Sequence, residues 1–380
     1  MQKKLLTVAV AGALAAPLAA MADVTVYGTI DTGIRTASKV CQPPDQTGSL
    51  TSAAQCATTG SLLSVTEGER TTNRWGLKGS EDLGGGLRAN FTLEGQYASD
   101  SGGGPGSSAG GANQGIFQRK SIVGLSGGMW SVDLGRDYTV NFKTQGIYDP
   151  MSYTYTGITP TAGNNTAGVR SSNMVTAGFR FGTGGVRVEY AMGEVAGDTG
   201  SGSRIGVNGD FAFGPVTLAA AYSTRSDTLA TLDLDQDTYN IGGVYKLGAM
   251  TFRAGYSSSE YKQTNGGNNK ADTPMYVLGF QYAFSPAVSG RLGYYSMEFN
   301  INDTKVGSRD WFILAVDYNL SKTTVLYAAV DVSGITDSSV TVNGQTGVIS
   351  ASAVPGVGST LGVNVADGST GISAGVMHAF

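Results

Sequence analysis

The sequence predicts an all-β fold: a transmembrane antiparallel β-barrel of about 16 strands. Three observations lead there. Segments of about ten residues alternate apolar and polar side chains, the length a tilted strand needs to cross a bilayer. The connections between them alternate between short turns and long polar loops. The composition is rich in Gly (57), Tyr (18) and Phe (13) but holds only 10 Pro, so the Gly is not the mark of a disordered Pro/Gly chain. No helical periodicity, linker or composition shift divides the chain, which favours one large closed sheet over several domains.

The N-terminus reads as an export signal covering residues 1–22. Lys3 and Lys4 form a positive n-region, Leu5 to Leu18 an Ala-rich apolar region, and Ala20-Met21-Ala22 a cleavage site. The barrel domain is then residues 23–380. Loss of Lys3 and Lys4 leaves 23 basic residues against 29 acidic ones and moves the net charge from −4 to −6. An acidic exported chain gives no case for nucleic-acid binding.

The first strand signal is Val24, Val26, Gly28 and Ile30 alternating with Thr25, Tyr27, Thr29 and Asp31. The hairpin Asn73–Gly95 follows. Trp75 and Leu77 alternate with Arg74, Gly76 and Lys78, and after a Gly-rich turn Leu87, Ala89, Phe91 and Leu93 alternate with Arg88, Asn90, Thr92 and Glu94. Successive side chains of a strand point to opposite faces, so each strand has one apolar and one charged face. The pattern returns in Val186–Met192, Val216–Tyr222, Tyr239–Leu247 and Tyr276–Phe284.

The short turns are predicted at 82–86, 127–128, 182–185, 214–215, 248–249, 285–286 and 319–322. The long segments are 37–70, 99–114, 139–171, 194–203, 226–236, 262–272, 300–308 and 333–369. A lipid-embedded sheet must close, because lipid cannot satisfy an open edge. Aromatics near strand ends (Phe179, Phe181, Phe211, Phe213, Tyr282, Phe284, Tyr318) predict an interfacial girdle. A soluble sandwich would place the same residues in its core, but needs far fewer strands. The last strand ends on Phe380, with His378, Val376, Ala374 and Ile372 on its face. It resembles the recognition signal read by the outer-membrane barrel-assembly machinery.

If the apolar faces meet lipid, the phase of each strand assigns a lumen face. A Lys or Arg on the lipid side at mid-membrane would cost about 2–4 kcal/mol. Lumen-phase basic residues are Arg35, Arg74, Lys78, Arg88, Arg180, Arg187, Arg204, Lys246, Arg253 and Arg291; lumen-phase acids are Asp31, Glu94, Glu189, Asp210 and Asp317. An excess of arginine in a narrow aqueous pore attracts anions. Cys41 and Cys56 are a disulfide candidate, since export to an oxidising compartment permits one. The spacing alone does not show the geometry, and two unpaired thiols are the alternative.

DVTVYGTIDTGI, NRWGLKGSEDLGGGLRANFTLEGQ, FQRKSIVGLSGGMWSVDLGRDYT and the terminal HAF resemble the general porins of β-proteobacteria. The resemblance covers about the first third of the mature chain and its end. It implies a 16-stranded barrel, a homotrimer in the bacterial outer membrane in contact with lipid and lipopolysaccharide, and a third extracellular loop folded into the lumen as a constriction. It turns Arg136 inward, against the strand phase it shares with Val132 and Leu134. It marks Arg74, Arg88 and Arg136 as constriction residues, opposed by Asp149, the one acid of the third loop. Relatives often carry Pro-Phe where this chain has Pro150-Met151.

Other classes find little support. A barrel enzyme needs a His with a nucleophile or an acid partner, and the only histidine is His378, near the chain's end. No Cys/His metal cluster is present. A plugged structural or adhesive barrel would have fewer strands. The expectation is a cofactor-free channel for small hydrophilic solutes and ions with a mild anion preference. A substrate-specific channel remains an open alternative.

Overall fold

The computed structural model describes residues 23–42, 58–104, 115–155, 159, 168–229, 232–263, 270–336, 339–342, 345–348 and 368–380. The predicted signal segment and Cys56 lie outside the described residues. Cys41 pairs through its backbone with Thr59, and its side chain is also outside them.

The strands are β1 (Asp23–Gln42), β2 (Thr58–Glu67), β3 (Arg74–Gly84), β4 (Leu87–Gln96), β5 (Lys120–Ser126) and β6 (Trp130–Tyr138). The helix α1 (Val140–Tyr148) follows, then β7 (Arg170–Phe181), β8 (Gly184–Ala191), β9 (Arg204–Phe213), β10 (Val216–Leu229), β11 (Leu232–Leu247) and β12 (Met250–Gln263). The remaining strands are β13 (Lys270–Asp272), β14 (Met275–Ala283), β15 (Val288–Ile301), β16 (Thr304–Asn319), β17 (Thr324–Thr336) and β20 (Ser369–Ala379). A small hairpin of β18 (Ser339–Val342) and β19 (Gln345–Val348) stands in the last loop.

The pairing is antiparallel throughout, and β20 returns to β1, from Thr29↔Ala379 to Ala37↔Gly371. Phe380 completes the seam: its N–H donates to Gly28 O at 3.1 Å, and Gly28 N donates to Phe380 O at 3.0 Å. Two staves are interrupted. β2 and β3 pair with successive parts of β1, and β13 and β14 with successive parts of β12. Joining each pair gives the closed barrel of 16 staves.

The seven predicted turns are all present. In the first, Gly84, Gly85 and Gly86 all have positive φ (84°, 63°, 83°), a run that only glycine takes without strain. The long segments differ more. The described residues of the region 37–70 are mostly strand, because β1 continues to Gln42 and β2 starts at Thr58. Strands also run into the polar segments at 226–236 and 300–308. Antiparallel pairing satisfies the backbone whether the side chains are apolar or polar. A polar stretch therefore extends a ladder above the membrane as readily as it forms a loop.

The outer wall is apolar and exposed: Val26 is 60%, Leu278 57% and Leu314 55% exposed. Phe179, Phe181, Phe211, Phe213, Tyr282, Phe284 and Tyr318 stand exposed beside the short turns. Stacked pairs such as Phe211–Phe213 form the expected girdle there. Toward the other end Tyr239–Tyr256–Tyr276 and Tyr294–Phe312 form a second belt.

The buried core lies inside the barrel. Met275, Val277, Tyr295, Met297, Trp311, Ile313, Tyr327 and Ala329 on β14–β17 pack with Tyr148, Met151 and Tyr155 of the third loop. Those strands carry apolar side chains on both faces, since the inner one is covered by the loop.

Candidate functional site: the pore constriction

The third loop leaves β6 at Tyr138 and turns at once into α1. Thr139 caps the helix, its Oγ1 accepting from Phe142 N at 3.3 Å. Val140, Asn141, Thr144, Gln145 and Tyr148 are buried, a spacing that puts them on one helical face. That face lies on the wall of β8–β12. Val140 N donates to Glu189 Oε2 (2.7 Å), Arg204 Nη2 to Asn141 Oδ1 (3.1 Å), Asn240 Nδ2 to Asn141 O (3.0 Å) and Tyr148 Oη to Tyr256 O (3.3 Å). Beyond the helix the chain crosses to β15–β17, where Arg291 Nη1 donates to Met151 O at 3.0 Å and Tyr155 Oη to Asp317 Oδ1 at 2.7 Å.

The loop divides the lumen. A cavity of about 1530 Å³ remains between it and the wall formed by β1–β9, β16, β17 and β20. Phe142, Lys143, Gly146, Ile147 and Tyr153 line its loop side. An aromatic stack braces that side: Tyr138–Phe142 at 5.0 Å and Phe142–Tyr153 at 4.3 Å between ring centres. The Arg170 guanidinium lies 4.6 Å over the free side of Tyr138.

The cavity charges fall into two groups. One is neutralised at short range. Arg35 holds Asp331 bidentately (2.6 and 3.0 Å), Lys120 and Lys143 share Asp137 (3.2 and 2.8 Å), and Arg119 binds Glu94 (2.7 Å). The Arg180–Asp210 pair is looser, at 3.8 Å. The other group has no opposite charge within 4.0 Å among the described residues: the cations Arg74, Arg170, Arg187 and Arg309 and the acids Glu67, Asp100 and Asp133. Arg74 donates to Thr71 Oγ1 at 3.2 Å, and Arg309 lies 4.4 Å over the Trp311 ring.

Residues 68–73, between β2 and β3, lean into the lumen. Asp31, fully buried, holds them by accepting from Arg70 N (2.8 Å) and Thr71 N (2.6 Å). Glu69 of this inset lines the cavity. Burial pushes its carboxyl up to about 7; Arg35 opposes that shift, and Asp331 and Asp31 add to it.

The site residues expected from the sequence separate under this geometry. Arg35 and Arg74 line the cavity. Lys78 and Arg88 are on the lumen phase but stand toward the first turn, Lys78 over the Tyr27 ring and Arg88 3.9 Å from Asp82. Glu94 lies behind Arg119 and accepts from Tyr27 Oη at 3.0 Å. His378 and Phe380 are exposed on the outer face, His378 Nδ1 2.9 Å from Thr324 Oγ1.

Two placements need correction. Arg136 does not enter the cavity. The bulge is present, with Gly135 at φ 127°, but Arg136 stays opposite Ser121, on the phase of the lipid-facing Leu134. Its guanidinium donates to Gln118 O (2.5 Å) and Ser172 Oγ (2.8 Å), and Asp137 takes the inward place. Asp149 is not an acid facing the pore. It is fully buried at the end of α1, accepting from Tyr153 N (2.9 Å) and Tyr295 Oη (3.1 Å).

Several cavity residues escaped the reading of the sequence. Arg309 and Asp331 share the strand phase of Trp311 and Tyr327, so the alternation of β16 and β17 could have found them. Glu69 and Arg170 sit at breaks in the periodicity, which carries no signal for them.

A closed barrel with an apolar outside and a charged aqueous lumen narrowed by an inward loop defines the class of passive membrane channels. The comparisons with known proteins agree. The pattern of the Gram-negative porin family matches residues 6–338. Outer membrane porin protein 32 of Delftia acidovorans is 29% identical, with both chains covered in full. The major outer membrane protein P.IB of Neisseria meningitidis serogroup B is 27% identical over 85% of this chain and 91% of its own. Among solved structures, the anion-selective porin from Comamonas acidovorans superposes with a TM-score of 0.75 at 26% identity, covering 95% of this chain and all of the other. OmpT of Vibrio cholerae, solved in a trimer form, shares the fold with a TM-score of 0.66 at 13% identity. The chain belongs to the Gram-negative porin family, and it is a diffusion channel of the outer membrane.

Proposed function

We propose that this porin passes small hydrophilic solutes by passive diffusion with a preference for anions, and that it does so without cofactor or covalent chemistry. One observation carries the preference: the four guanidiniums of Arg74, Arg170, Arg187 and Arg309 reach the cavity without a carboxylate partner among the described residues. Low-dielectric walls strengthen the field of such charges on a passing ion. Among the described residues nine basic side chains line the cavity against seven acidic ones, and of those acids Asp137 is spent on Lys120 and Lys143 and Asp331 on Arg35. The anion selectivity of the Comamonas porin supports the same reading.

The working unit is a homotrimer. The apolar outer face of the first strands, with Val24, Val26, Ile34 and Trp75 exposed, offers the surface for it. The rest of the outer wall meets lipid and lipopolysaccharide. Phe380, exposed at the seam, is the residue the barrel-assembly machinery would read.

The test is the reversal potential of the purified protein in a planar bilayer under a salt gradient. Anion preference is expected, and a cation-selective pore would refute it. Currents that saturate with one solute would replace the general channel with a substrate-specific one.

A further inference from the structure

We propose that Glu69 is a proton-operated selectivity element: taking up a proton, it makes the cavity wall more positive and raises the preference for anions as the medium turns acidic. This rests on the reading of the cavity as the ion path.

The geometry isolates Glu69 among its neighbours. The inset 68–73 holds it against the cavity at 5% exposure. Its Oε2 accepts no hydrogen bond from any described residue. The nearest cation is Arg35, whose Nη1 lies 3.8 Å away. Arg35 is already committed, giving Nη1 and Nη2 to Asp331 at 2.6 and 3.0 Å. One guanidinium thus faces two carboxylates.

Among the described residues no other group relieves the excess. From β1, Asp31 adds a third carboxylate, satisfied by Tyr327 Oη (2.7 Å) of β17 and by the backbone of the inset. Within the inset, Arg70 turns away and gives Nε and Nη2 to Asp317 at 2.9 and 3.1 Å. From β16, Arg309 acts on Asp331 while lying over Trp311. A buried carboxylate with an oxygen that accepts no hydrogen bond, and with a counter-ion already committed elsewhere, is the group that gives up its charge. Burial accordingly holds the Glu69 carboxyl near 7, inside the range a cell envelope meets. The chain's one histidine, His378, is exposed on the outer face of β20, so no imidazole stands in the lumen.

The experiment is the reversal potential of the intact porin in a potassium chloride gradient, taken between about pH 5.5 and 8.5, a window around the Glu69 value. The ratio of anion to cation permeability should rise roughly two- to fivefold on acidification, the effect of about one unit charge on a narrow aqueous path, with its midpoint near 7. Glu69→Gln should remove the step and hold the high ratio throughout. Asp331→Asn frees Arg35 for Glu69 and should move the midpoint down by about one pH unit or more.

A flat wild-type profile, or a step that survives in Glu69→Gln, overturns the proposal. So does an unmoved midpoint in Asp331→Asn, which decides the matter if Glu69→Gln does not assemble. A pore that prefers cations at every pH but still loses its step in Glu69→Gln defeats the anion reading and keeps the proton-operated element.

Discussion

The ring of Tyr148 lies over Gly242 so closely that one added carbon there would sit 2.2 Å from it. Gly255, directly opposite Gly242 on the neighbouring strand, meets the same ring at 2.1 Å. A second pair repeats the device: Gly279 and Gly293, also directly opposite each other, leave room for Pro150 and Met151. The barrel wall is cut away in two places, and the constriction loop is seated in both.

Gly242→Val should therefore unseat the loop. The clash meets a packed ring rather than a flexible chain end, so it cannot be absorbed locally, and overpacking of this kind costs about 1–3 kcal/mol. Single-channel conductance should fall as the helix is pushed off β11 and β12 into the cavity it borders. Tyr148→Ala empties the slot from the other side and should cost about 3–5 kcal/mol in barrel stability. Unchanged conductance in both variants would show that the loop is held by its polar contacts alone.

Arg74→Gln and Arg170→Gln should each lower the anion-to-cation permeability ratio by roughly twofold, the effect of one unit charge across part of an aqueous pore. Arg136→Gln should leave it unchanged, since that guanidinium is used outside the cavity on Gln118 O and Ser172 Oγ. Reversal potentials at low salt measure all three, because screening is then weakest. A loss of selectivity in Arg136→Gln would return that residue to the constriction.

Asp149→Ala should separate anchoring from selectivity. The carboxylate is fully buried and serves Tyr153 N and Tyr295 Oη. Its removal takes this acceptor from two donors, at about 1–3 kcal/mol for each buried group left without one. Thermal unfolding should move to lower temperature while the reversal potential stays put. A shift in selectivity with unaltered stability would mean that Asp149 faces the ion path after all.

The fold was legible because a barrel strand has a period of two and a wet side. Trp75 and Leu77 against Arg74 and Lys78 already state which face is which, and one such hairpin is repeated around the wall. The constriction was legible only in part. Arg35 and Arg74 lie on regular strands, so alternation placed them in the lumen. Arg136 follows a bulge at Gly135, where phase no longer predicts direction. Asp149 is the only acid of its loop, and its burial depends on Tyr295, far away in sequence. Glu69 sits in an inset that looks like any polar loop until Asp31 is seen to hold it.

The stability of the barrel should also depend on pH through Glu69. Its carboxyl stands near 7 in the folded barrel against an ordinary value of 4.5. Below about pH 4.5 both states hold the proton, and the folded barrel carries no penalty. As pH rises through this interval the unfolded chain ionises first, so the folded state loses stability until Glu69 itself ionises near 7. The full difference is about 3 kcal/mol, an order-of-magnitude figure. Glu69→Gln has no charge to desolvate. It should melt at a higher temperature than the wild type above pH 7, and the two should converge as pH falls toward 4.5. Melting curves in detergent across this range measure the gap. A gap that is constant with pH would show that Glu69 keeps its ordinary acidity in the folded barrel.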